Sequence, residues 1–344
     1  MDIKNQGKDL SISMMRFISM CMIVAYHISF YYNFRNGKWL YIGVSVFLCI
    51  SGFLYAKKDI SDDINFIRRS FKKILFDYYI YIILLIPFYF LFAPDYINIK
   101  QAVATFFFVS LVGLEHFWFI PYMLACYAIT PLLSKFCAKL HRFDNRQFLG
   151  ILICTMAVIE IILTLFIERF DPSRIFCYVL PFMISHRLQS SKLTMKTVLM
   201  WLIPICLILA VFMPGVTSQL EGYFSAIYGK IFKYSISFFG VTGFFIFYEI
   251  FKKIKLNESS IMRKLLSFSD KYSYDVYLTH HVYIGKPFWI STIFESVFLN
   301  ITFILILIAI SGWLLKSIAN RLSKAFRKLQ GNAISKDVNT GLSG

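Results

Sequence analysis

The run Met14–Tyr32, MMRFISMCMIVAYHISFYY, decides how this chain reads, because it is long and apolar enough to enter a bilayer yet carries Arg16 and His27. In a helix, that spacing turns through about 1100°, so the two side chains lie within about 20° of one another and about 16.5 Å apart along the axis. Ionisable groups inside a spanning segment are expensive, face a bundle interior or a wet cavity, and mark a functional path by default. Arg16 and His27 therefore define one track through the membrane, and the remaining chain is expected to build its walls. Taken singly, each has a plainer reading: a snorkelling arginine and a hydrogen-bonded buried histidine.

Composition places the whole chain in the same class. Of 344 residues, 58% are hydrophobic and 19% aromatic, and the mean hydropathy is +0.64, more than a soluble core of this length uses. A net charge of +17 would suggest nucleic acid in a soluble domain. Here the cations fall between apolar runs, where they set topology, and no nucleic-acid partner is expected. The seven cysteines (Cys21, Cys49, Cys126, Cys137, Cys154, Cys177, Cys206) show no C-x-x-C pairing, so neither a disulfide framework nor a metal site is expected.

Further spans are expected at Ile42–Tyr55, Ile74–Ala93, Phe117–Leu133, Phe148–Ile167, Ile175–Ser185 (short and broken by Pro181), Val198–Met213, Ser235–Phe251, Tyr272–Ile293 and Val297–Leu315. A cytoplasmic lead at 1–10 precedes a membrane domain at 11–320, and a basic, largely disordered tail follows at 321–344. An interfacial helix is expected near Ala102–Val112. The fold class is thus all-α, a polytopic membrane helix bundle of about ten transmembrane helices. With alternating sides, the loops opposite the N-terminus carry only Arg35, Lys38, Lys100, Arg169, Arg174, Lys230, Lys233 and Lys286 of the 36 basic residues. The positive-inside rule then makes both termini cytoplasmic.

Sidedness gives the opening pair a direction. Arg16 lies near the cytoplasmic face and His27 in the outer half of a core about 30 Å thick. A long anionic donor held at Arg16 would reach His27 with its far end, and an acyl-coenzyme A has that shape. Arginine suits phosphate because its charge is permanent and its donors are forked. A neutral imidazole can take a proton from a hydroxyl near pH 7 and return it.

Four motifs then agree. The Arg16-x10-His27 spacing, YIGVSVFLCISGF (Tyr41–Phe53), HFWFIPYML (His116–Leu124) and YSYDVYLTHH (Tyr272–His281) together resemble the acyltransferase-3 family of integral-membrane acyltransferases, over roughly residues 9–320. The resemblance implies about ten spans and transfer of an acyl group, most often acetyl from cytoplasmic acetyl-CoA, to sugars of cell-surface or lipid-linked polysaccharides. The donor is a substrate, and no cofactor is implied. It also implies a catalytic His27 and a donor-binding Arg16. The family's glycine-serine-phenylalanine segment falls on Gly43, Ser45, Phe47, Ser51, Gly52 and Phe53, its tryptophan-phenylalanine motif on Trp118 and Phe119, and its late tyrosine-leucine-x-histidine on Tyr277, Leu278 and His280. RRSFKKILFDYY (Arg68–Tyr79) departs from the family's arginine-rich, proline-ended loop: lysines replace arginines, and Phe76 and Asp77 stand at the prolines. Arg68, Arg69, Lys72 and Lys73 are its donor-phosphate candidates, with Ser45 and Ser51 beside them.

Several residues carry two readings. Gly43–Gly52 suits close helix packing as well as donor contact. Tyr277 and His280 share a helical face, for packing or for a substrate hydrogen bond. Glu115 and His116 lie at the outer mouth of a span, where an acceptor would arrive, and Trp118 serves as belt aromatic or sugar platform. Glu160 lies mid-span and calls for a partner such as His27 or an arginine. A different class, a transporter or flippase for a lipid-linked sugar or small anion, would use intramembrane charges as a substrate path, but the chain lacks half-chain symmetry. Lys-, Ile-, Asn- and Phe-rich usage points to a bacterial cytoplasmic membrane. No feature fixes the oligomeric state.

Overall fold

The computed structural model describes residues 9–34, 37–109, 114–166, 171–190, 192–219, 225–257, 259–285, 287–288 and 290–340, with side chains left aside at 38, 211–219, 225–230, 327 and 329–340. Most of the expected lead, with Lys4 and Lys8, lies outside them. So do Arg35, Arg169 and Lys286 and the end of the expected interfacial helix.

All regular structure among the described residues is helical. The elements are α1 (Leu10–Tyr31), α2 (Ile42–Tyr55), α3 (Asp63–Phe92), α4 (Ile99–Phe106), α5 (Phe119–Lys139), α6 (Asn145–Phe166), α7 (Pro172–Gln189), α8 (Met195–Gln219), α9 (Ser225–Phe251), α10 (Ile261–Thr279) and α11 (Val297–Thr340), joined partly by 3-10 turns. Six of these, α1, α3, α5, α6, α9 and α11, contain windows long and apolar enough to cross a membrane. The other expected spans fall on α2, α7, α8 and α10, which are too short or too polar to meet the same measure.

Three stretches differ from the sequence reading. The segment expected to span at Tyr272–Ile293 is not one helix: α10 starts at Ile261, stops at Thr279 and gives way to 3-10 turns at His281–Tyr283 and Ile290–Thr292. Gly285 and Pro287 fall in this break, and both oppose helix. The basic cluster Arg68–Lys73 stands on the first turns of α3 rather than in a loop. Beyond residue 320, α11 continues to Thr340 where disorder was expected, as a basic continuation of the apolar helix.

The chain divides into two compact units, residues 1–71 with 119–271 and residues 72–118 with 272–344. In the first, α7 is the buried centre, with nearly every side chain from Ser173 to Ser185 enclosed. A helix apolar all round belongs in such a place, and Pro181 leaves α7 uninterrupted. It starts at an Asp171 cap with Pro172 at the first turn. Arg187 is buried and fastens the α5–α6 turn, donating to the carbonyls of Leu140 (3.1 Å) and Phe143 (2.5 Å).

Close backbone approach fixes α2. A Cβ on Gly52 would sit 2.2 Å from the Tyr178 carbonyl oxygen of α7, and one on Gly43 would sit 2.7 Å from Met22 Cβ of α1. The Gly43 carbonyl accepts from Ser19 Oγ at 2.6 Å. On α9, a Cβ at Gly240 would meet Ser45 Cβ at 2.3 Å. These small residues let three helices meet α2 at backbone distance.

The second unit holds the rest of α3, α4, the end of α10 and α11. An Asn98/Gln101 capping box starts α4 three residues before the expected interfacial helix. Tyr78 donates to the Thr105 carbonyl (2.5 Å) and Tyr274 to the Ile74 carbonyl (3.1 Å), tying α3 to α4 and α10.

Candidate active site

In the first unit, α1 is one unbroken helix, so Arg16 and His27 share a face at the separation their spacing sets. The helix begins at Asp9, whose carboxylate accepts from the Ser11 N–H at 3.0 Å and from the Tyr248 hydroxyl at 3.0 Å. Arg16 is partly buried and forms an ion pair with Asp270 of α10, which is only 5% exposed. The same carboxylate accepts from Ser13 Oγ at 2.6 Å. Arg16 is therefore held in place by a buried counter-ion. Asp270 lay in a stretch read as a basic loop, and only the helical start of α10 puts it here.

Around His27 the structure assembles aromatic rings and a second arginine. Tyr26 packs edge-on to His27 with ring centres 5.1 Å apart and against Tyr41 at 5.0 Å. Arg174, at the start of α7, is buried and lies 4.4 Å above the Tyr41 ring. It also interacts electrostatically with Tyr26. Arg174 was read as a loop cation, whereas its guanidinium stacks on the ring beside the histidine's neighbour.

The remaining candidates of this unit are more dispersed. Ser45 is sealed in the α2–α9 contact, and Ser51 donates to the Phe47 carbonyl of its own helix at 3.3 Å. Arg68 and Arg69 are exposed on α3, with Arg69 Nε donating to the Asn65 carbonyl at 3.1 Å. Glu160 accepts hydroxyls from Tyr234 of α9 and from Thr164.

The second unit gathers the late histidines. Among the described residues, Glu115, His116, Tyr277, His280 and His281 form one cluster. His116 Nε2 donates to the Leu278 carbonyl at 3.2 Å, and Tyr277 donates to the His116 carbonyl. His280 Nδ1 donates to the Tyr277 carbonyl at 2.7 Å. In neutral rings these bonds leave Nδ1 of His116 and Nε2 of His280 as the proton-accepting nitrogens. The His116 ring lies 4.9 Å from His280 and stacks on His281 at 5.0 Å. His281 Nδ1 is 3.7 Å from the exposed Glu115 carboxylate. Trp118 is half-buried in the 3-10 turn that carries Glu115 and His116. Lys72 and Lys73 are exposed on α3.

This unit also contains an ionic group that the sequence did not disclose. Lys316 of α11 is 2.5 Å from Asp77 and 3.7 Å from Asp275, both carboxylates buried. Asp77 stands where the family resemblance expects proline. No three His, Cys, Asp or Glu side chains among the described residues are placed to hold a metal ion, and all seven cysteines are free.

An all-helical chain with several apolar spans and ionisable groups inside them is a multi-pass membrane protein that works within the bilayer. The model of the acyltransferase-3 family, described as an acyltransferase domain, matches residues 9–317, and the chain belongs to that family of membrane acyltransferases. No curated protein and no solved structure matches it.

Proposed function

We propose that this acyltransferase moves an acetyl group from cytoplasmic acetyl-CoA to a sugar hydroxyl of a cell-surface or lipid-linked polysaccharide, in a bacterial cytoplasmic membrane. The observation that carries the reading is the unbroken α1, with Arg16 held by Asp270 at one level and His27 beside Tyr26 about three turns on. In this reading the bundle crosses about ten times, with both termini in the cytoplasm.

The donor's phosphates meet Arg16, assisted by Arg68, Arg69, Lys72 and Lys73 at the cytoplasmic surface, and the thioester points along α1. His27 removes the proton from the sugar hydroxyl, and the oxygen attacks the thioester carbonyl. When the tetrahedral intermediate collapses, the C–S bond breaks, the coenzyme A thiolate leaves and the imidazolium returns its proton to that sulfur. The product is an O-acetyl ester. Glu115, His116, Trp118, Tyr277 and His280 are assigned to the acceptor.

The test is His27→Ala in cells, with surface-glycan ester content read by NMR and protein level by immunoblot. Ester should vanish at unchanged protein level. Normal ester content would end the proposal.

A further inference from the structure

A carboxylate in the wall of a greasy cavity sits in the first unit, away from the Arg16–Asp270 pair. The cavity, of about 590 Å³, lies among α6, α7, α8 and α9. Its wall is hydrocarbon and aromatic apart from Glu160 and the Tyr234 hydroxyl, with Trp201, Phe176 and Phe238 as the rings. On its outer side stands α6, whose most apolar stretch is only 11% buried, so this helix meets lipid along most of its length. An apolar pocket of this size with a few convergent polar groups is the usual form of a small-molecule site.

Charge complementarity selects the occupant. Glu160 takes hydroxyls from Tyr234 and Thr164, the arrangement that orients a carboxylate and leaves it able to meet a cation. Lys233, next to Tyr234, is turned to Asp171 at 3.4 Å. The rings in the same wall attract an ammonium through their faces and offer nothing to an anion. A hydrocarbon chain satisfies the rest of the lining. We propose that this cavity binds an amphiphile with a single ammonium group and one alkyl chain, the ammonium at Glu160 and the chain among α6, α7 and α8.

The test uses the purified full chain in dodecyl maltoside, with two brominated twelve-carbon probes whose bromine quenches tryptophan: an alkyl-trimethylammonium and the matching neutral alcohol. Trp201→Phe supplies the baseline from the other tryptophans. The ammonium probe should quench the Trp201 emission saturably, with a half-point roughly tenfold below that of the alcohol. Glu160→Gln should bring the two probes together. Ala157→Phe, which fills the cavity from the lipid-facing helix and keeps the carboxylate, should abolish saturation by both, and it carries the test if Glu160→Gln fails to fold. Equal half-points in the unmodified protein would overturn the proposal, and so would a preference that survives Glu160→Gln or saturation that survives Ala157→Phe. The cavity would then hold bilayer hydrocarbon only.

Discussion

Breaking the Arg16–Asp270 pair should be costly in a way that only a true coupling explains. Asp270→Ala leaves a guanidinium with 23% exposure and no carboxylate beside it, and Arg16→Ala leaves a carboxylate with 5% exposure and no cation. Removing one partner of a buried pair costs about 3–5 kcal/mol, because the survivor stays desolvated and uncompensated. Arg16 retains some solvent, so Asp270→Ala should lie near the lower end, at about 3 kcal/mol, and Arg16→Ala somewhat higher. Once both groups are gone the desolvation penalty goes with them. The double variant should therefore lose less than the sum of the singles by about 2 kcal/mol. The Ser13 bond to Asp270 adds to the Asp270 side of the cycle and leaves the coupling sign unchanged. Unfolding by dodecyl sulfate titration out of dodecyl maltoside, read by far-ultraviolet circular dichroism, measures all four proteins. Additivity within about 0.5 kcal/mol would show that the two groups do not hold each other, and the anchoring of Arg16 would have to be discarded.

Three further outcomes follow from other contacts. Gly52→Ala places a Cβ 2.2 Å from a backbone oxygen that no rotamer change can move, so α2 and α7 must part; the loss should be about 1–3 kcal/mol in the same titration, and unchanged stability would refute the contact. Lys316→Met leaves Asp77 and Asp275 buried together and should cost about 3–5 kcal/mol. Adding Asp77→Asn should recover part of that loss, and an equal or larger loss in the double variant would contradict the pairing. Burial, and then the nearby His141, lower the pKa of His186 from 6.5. Its ring is thus neutral in the fold and protonates more readily once unfolded. The associated stability is fully present above about pH 6.5 and is lost as pH falls through the lower folded value. His186→Asn should flatten the stability curve between about pH 7 and pH 5, and an unaltered slope would sink the assignment.

Much of the frame was legible because membrane spans announce themselves by length and hydropathy. The in-line pair on α1 needed only helical periodicity. Gly43 and Gly52 carried two meanings in sequence, and the Cβ distances to Met22 and Tyr178 assign both to helix packing. What escaped was everything decided by partners distant in sequence. Asp270 looked like one acid in a basic loop, because the apolar run after Tyr272 drew the expected span too far toward the C-terminus. Gly285 and Pro287 were the available signal that this run could not be one helix. Arg174 and Arg187 were counted as topology charges, and both are buried. The centrality of α7 was hidden by its shortness and by Pro181, features that suggest a poor span but suit a helix whose surroundings are protein rather than lipid. Glu160 was expected to find histidine or arginine, and it takes tyrosine and threonine hydroxyls.

The three small residues along α2 have a mechanical consequence. A helix touched at backbone distance by α1 near Gly43, by α9 at Ser45 and by α7 near Gly52 cannot slide or roll without opening a seam on at least one side. Such a helix is a keel: during turnover α1, α7 and α9 keep their spacing from it, and any breathing of this unit falls to the thinly packed α6 at its edge.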